Sequence, residues 1–125
     1  MTHLDTSFLI RALNPGSLED GRLREWVAAG ETVTMSAVAW AEFLCGPLGG
    51  AELELAERIV ARRREFTEEQ AATAARLFNA SGRRRGLFID CLIAAAALAD
   101  GAPLATTNAA DFGPFKSAGL TLAQC

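Results

Sequence analysis

This chain has a single histidine, a single lysine, and three cysteines with no CxxC spacing between them. With His3 alone to offer an imidazole and no thiolate pair, a zinc centre has no ligand set. Cys45, Cys91 and Cys125 are odd in number, and two of them sit inside apolar helical patterns, so reduced, buried thiols are expected. No apolar run reaches bilayer length, and Met1-Thr2-His3-Leu4-Asp5 lacks the basic start of a signal peptide. A cytoplasmic protein without membrane contact is therefore expected. No repeat, low-complexity tract or linker interrupts the 125 residues, which predicts one domain over 1–125, long enough for a real core.

Positive charge is also short, for the formal net charge is −3, which on its face argues against a nucleic-acid partner. Its distribution tempers that. Eleven of the twelve basic residues are arginine, and six of those form the triplets Arg62-Arg63-Arg64 and Arg83-Arg84-Arg85. Arginine is the planar, bidentate phosphate binder. A solvated surface is the plain reading of such runs. The second triplet stands just before Asp90, and there phosphate contact is the favoured reading.

What is present is an alternation of short strands and helices. Met1 to Asp5 reads as a strand, and Thr6-Ser7 open a helix over Phe8 to Leu13. Ser17 caps a helix from Leu18 to Ala29, and Glu31 to Met35 has the β-branched alternation of a strand. Ser36 caps a helix reaching Cys45, and Leu48 to about Glu65 is amphipathic with Leu53, Ala56, Ile59 and Val60 in helical register. Thr67-Glu68-Glu69-Gln70 has the form of a capping box for a helix to Ser81. A basic loop over Gly82 to Gly86 leads to the alanine-rich helix Cys91 to Ala99, stopped by Asp100-Gly101-Ala102-Pro103. Pro103 to Thr106 is a buried parallel strand, Thr107 to Phe112 a polar corner, and Leu120 to Leu122 a last strand. The alternation predicts an α/β domain with a largely parallel sheet, whose ligands bind outside the C-terminal strand ends.

Four acids stand apart from the solvated ones. Asp5 closes the first strand, Asp90 opens the alanine helix, and Asp111 lies in the polar corner. Glu42 sits in Ala37-Val38-Ala39-Trp40-Ala41-Glu42-Phe43-Leu44, a helix apolar nearly all round and so expected to be buried. Asp5 and Asp90 each have an alternative as helix N-caps, Asp111 as a surface turn residue, and Glu42 as the partner of a buried arginine. Taken together they are oxygen-only ligands, which suits Mg²⁺ or Mn²⁺. Lone buried carboxylates are costly, and a shared divalent cation removes that cost. His3 shares a strand face with Asp5 by alternation but is expected to be an N-terminal surface residue.

Four segments resemble a PIN domain of the VapC toxin type: Leu4-Asp5-Thr6-Ser7, Ser36 to Glu42, Asp90 to Leu98, and Leu104 to Phe112. Their order and spacing carry the resemblance, which covers nearly the whole chain. It implies a PIN-like three-layer sandwich with a short, mainly parallel central sheet flanked by helices. It implies that Asp5, Glu42 and Asp90 are the core acids, with Asn108 or Asp111 at the more variable fourth position. Thr6 and Thr106 fall where the family places hydroxyls beside metal or phosphate. Together with Asn108, Arg83, Arg84 and Arg85 they are the candidate substrate contacts. The implied activity is a Mg²⁺- or Mn²⁺-dependent endoribonuclease, with in-line attack leaving 5′-phosphate and 3′-hydroxyl ends. The implied partners are RNA, a VapB-type antitoxin and a second copy of the chain, within a larger toxin–antitoxin complex. Leu9, Leu13, Trp26, Leu48 and Leu53 are candidates for a groove that takes an antitoxin helix.

Two other classes fit the acids less well. An aspartate-nucleophile phosphatase wants a second aspartate where Ser7 stands, and a receiver domain wants a lysine pair, whereas the sole lysine is Lys116. A non-catalytic PIN-like module binding RNA or protein remains the second reading.

Overall fold

The computed structural model describes residues 1–123, so Cys125 lies outside the described residues. Four short strands form its sheet: β1 (Thr2–Leu4), β2 (Val33–Ser36), β3 (Arg63–Arg64) and β4 (Leu104–Ala105), in the order β3-β2-β1-β4. Every pairing is parallel. His3 of β1 lies opposite Thr34 on one side and Leu104 on the other. Each residue of β1 and β2 is buried, as central strands covered on both faces must be.

Helices α1 (Thr6–Ala12) and α2 (Leu18–Ala28) connect β1 to β2, and α3 (Ala37–Leu44) and α4 (Gly50–Ile59) connect β2 to β3. Helix α5 (Glu68–Ala80), a 3₁₀ turn (Arg85–Leu87) and α6 (Phe88–Ala99) then carry the chain across to β4 on the far side of β1. A short α7 (Ala109–Phe112) and a 3₁₀ stretch (Gly113–Ala118) follow. Because the chain leaves β1 toward β2 and returns on its other side, the switch point of the sheet is the C-terminal end of β1.

The caps expected from the sequence form as expected. Ser17 accepts from the Asp20 amide, Ser36 from the Ala39 amide, and Thr67 and Gln70 make a reciprocal capping box. After α6, Gly101 takes φ +61°, and the amides of Gly101 and Ala102 bond back to Leu98 and Ala97. That is a Schellman stop, and it needs glycine at the left-handed position. The alanine run, with no long side chains to hold α6 away, is packed tightly into the core, with Ala94, Ala95, Ala96 and Ala97 at most 1% exposed. Phe8, Phe43, Phe112 and Phe115 are equally buried, each contributing roughly 1.5–3 kcal/mol by the transfer scale.

Three expectations need correction. The helix from Leu48 toward Glu65 stops at Ile59, and Arg63–Arg64 pair in parallel with Met35 and Ser36. Val60 turns inward, wholly buried, and Arg63 stacks over the Trp40 ring at 4.3 Å, so sheet pairing overrides the local helical period. The last strand shrinks to a single bridge between Leu104 and Leu122. His3 is no surface residue: it is 1% exposed, with Nε2 2.6 Å from Asp100 Oδ2. Asp100 in turn takes two hydrogen bonds from Arg64, at 3.0 and 2.7 Å.

Candidate active site

The parallel sheet brings distant parts of the chain to one edge. Asp5 directly follows β1, α3 with Glu42 starts from the end of β2, and Thr106, Thr107 and Asn108 follow β4. Asp5 is 3% exposed and is the N-cap of α1. Its Oδ1 accepts from the Phe8 amide at 2.9 Å and the Ser7 hydroxyl at 2.8 Å, and its Oδ2 from the Thr106 hydroxyl at 2.5 Å. The capping alternative and the site reading for Asp5 therefore hold together: one oxygen caps the helix and the other faces β4.

The hydroxyls around Asp5 are themselves fixed. Thr106 Oγ1 accepts from the Asn108 amide at 2.9 Å, and Ser7 Oγ accepts from the Thr107 amide at 3.3 Å. Thr6, expected beside substrate, is 7% exposed, and its hydroxyl donates to the Ala39 carbonyl at 2.9 Å. It ties the start of α1 to the start of α3, and so relates Asp5 to the helix that carries Glu42.

Glu42 departs from expectation, for its side chain is exposed rather than buried. Helix α3 buries only the face of Ala39 and Phe43, so apolar residues all round did not mean enclosure. Asp90 lies inside the first turn of α6, where Leu87 holds the N-cap position without a side-chain bond. Asp90 is thus not the cap, though a carboxylate in a first turn is favoured by the helix dipole. Asp111 is exposed on α7, and exposed Asn108 precedes it at the cap position.

The electrostatics link these acids. Burial pushes the Asp5 carboxyl above its ordinary 3.8 against the pull of its three hydrogen bonds, and the charge of Glu42 adds to the rise. Asp90 is pushed up to about 6, first by burial and then by the negative charges of Asp111, Glu42 and Asp5. Among the described residues, no ion pair involves any of the four. No positive charge among the described residues stands near enough to lower the Asp5 or the Asp90 carboxyl. As the side chains lie, however, no three acids, histidines or cysteines among the described residues stand close enough to hold an ion. The coupling is one of shared field, not of a closed ligand cage.

The arginine triplets divide by use. Arg63 and Arg64 are taken up by Trp40 and Asp100. Arg83, at φ +58°, donates to Asn79 Oδ1 at 2.6 Å and lies over the Phe78 ring, so it is folded back on α5. Arg84 and Arg85 are exposed just ahead of α6. Of the groove candidates, Leu9 is fully buried in the core, whereas Leu13, Trp26, Leu48 and Leu53 are partly buried at its margin. A cleft of about 420 Å³ between α2 and α4 is lined by Leu23, Val27, Leu55 and Ile59, with Asp20 and Arg24 at its side. Val27 and Leu55 there are 57% and 42% exposed, and neither is among the expected groove residues. No described helix is long and apolar enough to cross a membrane.

Ser7 is the residue that sequence reasoning passed over. In the sequence it figures only in the opening of a helix, in the segment that resembles a PIN domain, and as the residue standing where a phosphatase would place a second aspartate. Its place two residues after an N-capping aspartate was the available signal, since serine there readily bonds back to the cap.

Solved structures share this fold. FitAcB from Neisseria gonorrhoeae is 27% identical with a TM-score of 0.70, covering 99% of this chain and 97% of its own. VapBC2 from Rickettsia felis, solved bound to a DNA fragment from its promoter, is 22% identical with a TM-score of 0.76 over 98% and 96% of the two chains. VapC20 from Mycobacterium tuberculosis, a toxin that cleaves the sarcin–ricin loop, is 20% identical with a TM-score of 0.69 over the whole of both chains. No curated protein sequence matches the chain. The model of the PIN domain matches residues 3–114, a span that contains Asp5, Glu42, Asp90, Asn108 and Asp111, and the chain belongs to the PIN domain family.

Proposed function

We propose that this chain is a Mg²⁺- or Mn²⁺-dependent endoribonuclease, the toxin of a VapBC-type toxin–antitoxin pair. The observation that carries the reading is Asp90, held at about 6 by burial and by three further carboxylates at the C-terminal edge of the sheet, none ion-paired among the described residues. Four acids sharing a field with no cation are a poor arrangement for stability and a good one for a divalent ion. The all-oxygen donor set fits Mg²⁺ or Mn²⁺. Such an ion, when bound, supplies positive charge to the scissile phosphate and lowers the pKa of a water.

The chain's own residues would do the rest. Asp5, held by three donors, is the fixed ligand, and Asp90 is held by the first turn of α6. Glu42 and Asp111 are exposed and have room to move toward them. Asp111 is preferred to Asn108 as the fourth ligand, because Asp111 contributes to the field at Asp90. Exposed Arg84 and Arg85 are suited to RNA phosphates and would offset the repulsion of the acids. The described toxin relatives include one that cleaves RNA of the sarcin–ricin loop, which supports RNA as substrate.

The VapBC and FitAB relatives support an antitoxin partner, and the cleft at Val27 and Leu55 suits an amphipathic helix. Exposed Leu44, Phe88 and Ile89 offer apolar area for a second copy of the chain. The open ligand cage favours one rival, a PIN domain that binds RNA or protein without cutting. The two separate in one assay. Total RNA incubated with the purified chain and Mg²⁺ or Mn²⁺ should be cut at discrete sites, with cutting abolished by EDTA and by Asp5→Ala. Intact RNA in the presence of either ion, or equal cutting with EDTA, overturns the proposal.

A further inference from the structure

The loop after β4 meets Asp5 in two places through hydroxyls of opposite origin. The Asn108 amide donates to Thr106 Oγ1, which donates to Oδ2, and the Thr107 amide donates to Ser7 Oγ, which donates to Oδ1. Each relay runs from backbone N–H through a hydroxyl to one carboxylate oxygen, so each hydroxyl both accepts and donates in a chain whose bonds reinforce one another. The two oxygens are not equivalent. Oδ1 accepts from both Ser7 and the Phe8 amide, which uses its two lone-pair directions, whereas Oδ2 has one donor and one direction left.

We infer that Ser7 is a positioning residue for the metal site: by filling Oδ1 and binding the loop of Thr107, it makes Asp5 a one-oxygen ligand acting through Oδ2. The inference rests on the metal-dependent reading above. Without the Ser7 hydroxyl, Oδ1 gains an open lone pair and loses its link to the Thr107 amide, while the Phe8 amide and Thr106 still hold the carboxylate. Each oxygen then has a free direction, so Asp5 is no longer restricted to Oδ2. The α1 cap survives, because the Phe8 amide still bonds Oδ1, so the fold does not depend on Ser7 in the way the ligand geometry does.

The test is Mn²⁺ binding alone, by calorimetry, on the full chain without RNA, for wild type, Ser7→Ala and Ser7→Thr, with thermal midpoints recorded beside it. Ser7→Ala should weaken Mn²⁺ binding roughly 10-fold or more, the range for partners that orient a metal ligand. Ser7→Thr, which keeps the hydroxyl, should bind within about threefold of wild type. Midpoints of all three should agree within a few degrees. Ser7→Ala binding as tightly as wild type, or Ser7→Thr losing as much as Ser7→Ala, overturns the inference while leaving the metal site standing. A wild-type chain that binds no Mn²⁺ overturns the metal reading itself and the Ser7 inference with it.

Discussion

Thr106 Oγ1 donates to Asp5 Oδ2 across 2.5 Å, joining residues 101 positions apart in the chain. This bond crosses from β4 to the end of β1, and it is made by the oxygen that has a direction left for a ligand. Thr106→Val keeps the branched shape and removes the donor. It should lower kcat/KM for RNA cleavage about 10- to 100-fold, while Thr106→Ser keeps most of the activity. Activity unchanged in Thr106→Val would mean that the orientation of Asp5 does not limit the reaction.

Part of this candidate site is legible in the sequence, because three of its acids follow an apolar strand or lie at or within apolar helices. Asp5 and Asp90 were visible in that way, and so were the caps at Ser17, Ser36 and Thr67. What failed did so for tertiary reasons. Glu42 sits in an apolar sequence, yet burial depends on which face of α3 is turned to the core, and only Ala39 and Phe43 are fully buried there. Arg63–Arg64 extend a helical pattern, yet an unpaired edge of β2 claims them as a strand. His3 looked like a terminal residue until Asp100, 97 positions away, arrived as its partner. Ser7 needed the Thr107 amide to reveal its second bond.

The His3–Asp100–Arg64 network predicts a dependence of stability on pH. Burial lowers the His3 pKa below its ordinary 6.5 in spite of Asp100, so the folded state takes up that proton less readily than the unfolded chain. Stability is then full above about 6.5 and declines as the pH falls below it. Burial also acts to raise Asp100, but hydrogen bonds from Arg64 and His3 outweigh it and hold the carboxyl below 3.8. The contribution of Asp100 is present above 3.8 and is lost as the pH falls through its lower folded value. Between pH 7 and pH 5 this loss at His3 runs against a gain at Asp90, whose carboxyl is pushed up to about 6, so the His3 contribution is read as the difference between wild type and His3→Gln. Relative to wild type, His3→Gln should shift the thermal midpoint upward at pH 5 compared with pH 7, and an identical profile would remove His3 as a contributor.

Arg84 and Arg85 differ from Arg83 in a way that binding can read. Arg83 is bonded to Asn79 and stacked on Phe78, whereas the next two are exposed beside α6. Replacing Arg84 and Arg85 together by glutamine should weaken RNA binding and reduce the slope of log affinity against log salt by roughly 0.7 per lost contact with a single strand. Arg83→Gln should change that slope little. Equal effects from all three would mean that the whole loop detaches from α5 to meet RNA.

The central claim is that Asp5, Glu42, Asp90 and Asp111 share one divalent cation at the end of β1. Anomalous scattering from a crystal grown with Mn²⁺ tests it most directly. The account predicts a peak at about 2.0–2.2 Å from Asp5 Oδ2, close to the octahedral distance for small divalent ions, with Asp90 on the same ion. Glu42 or Asp111 should stand near it, moved inward. A map with no peak between Asp5 and Asp90 at saturating Mn²⁺, or with ions held only by surface acids elsewhere, would contradict it.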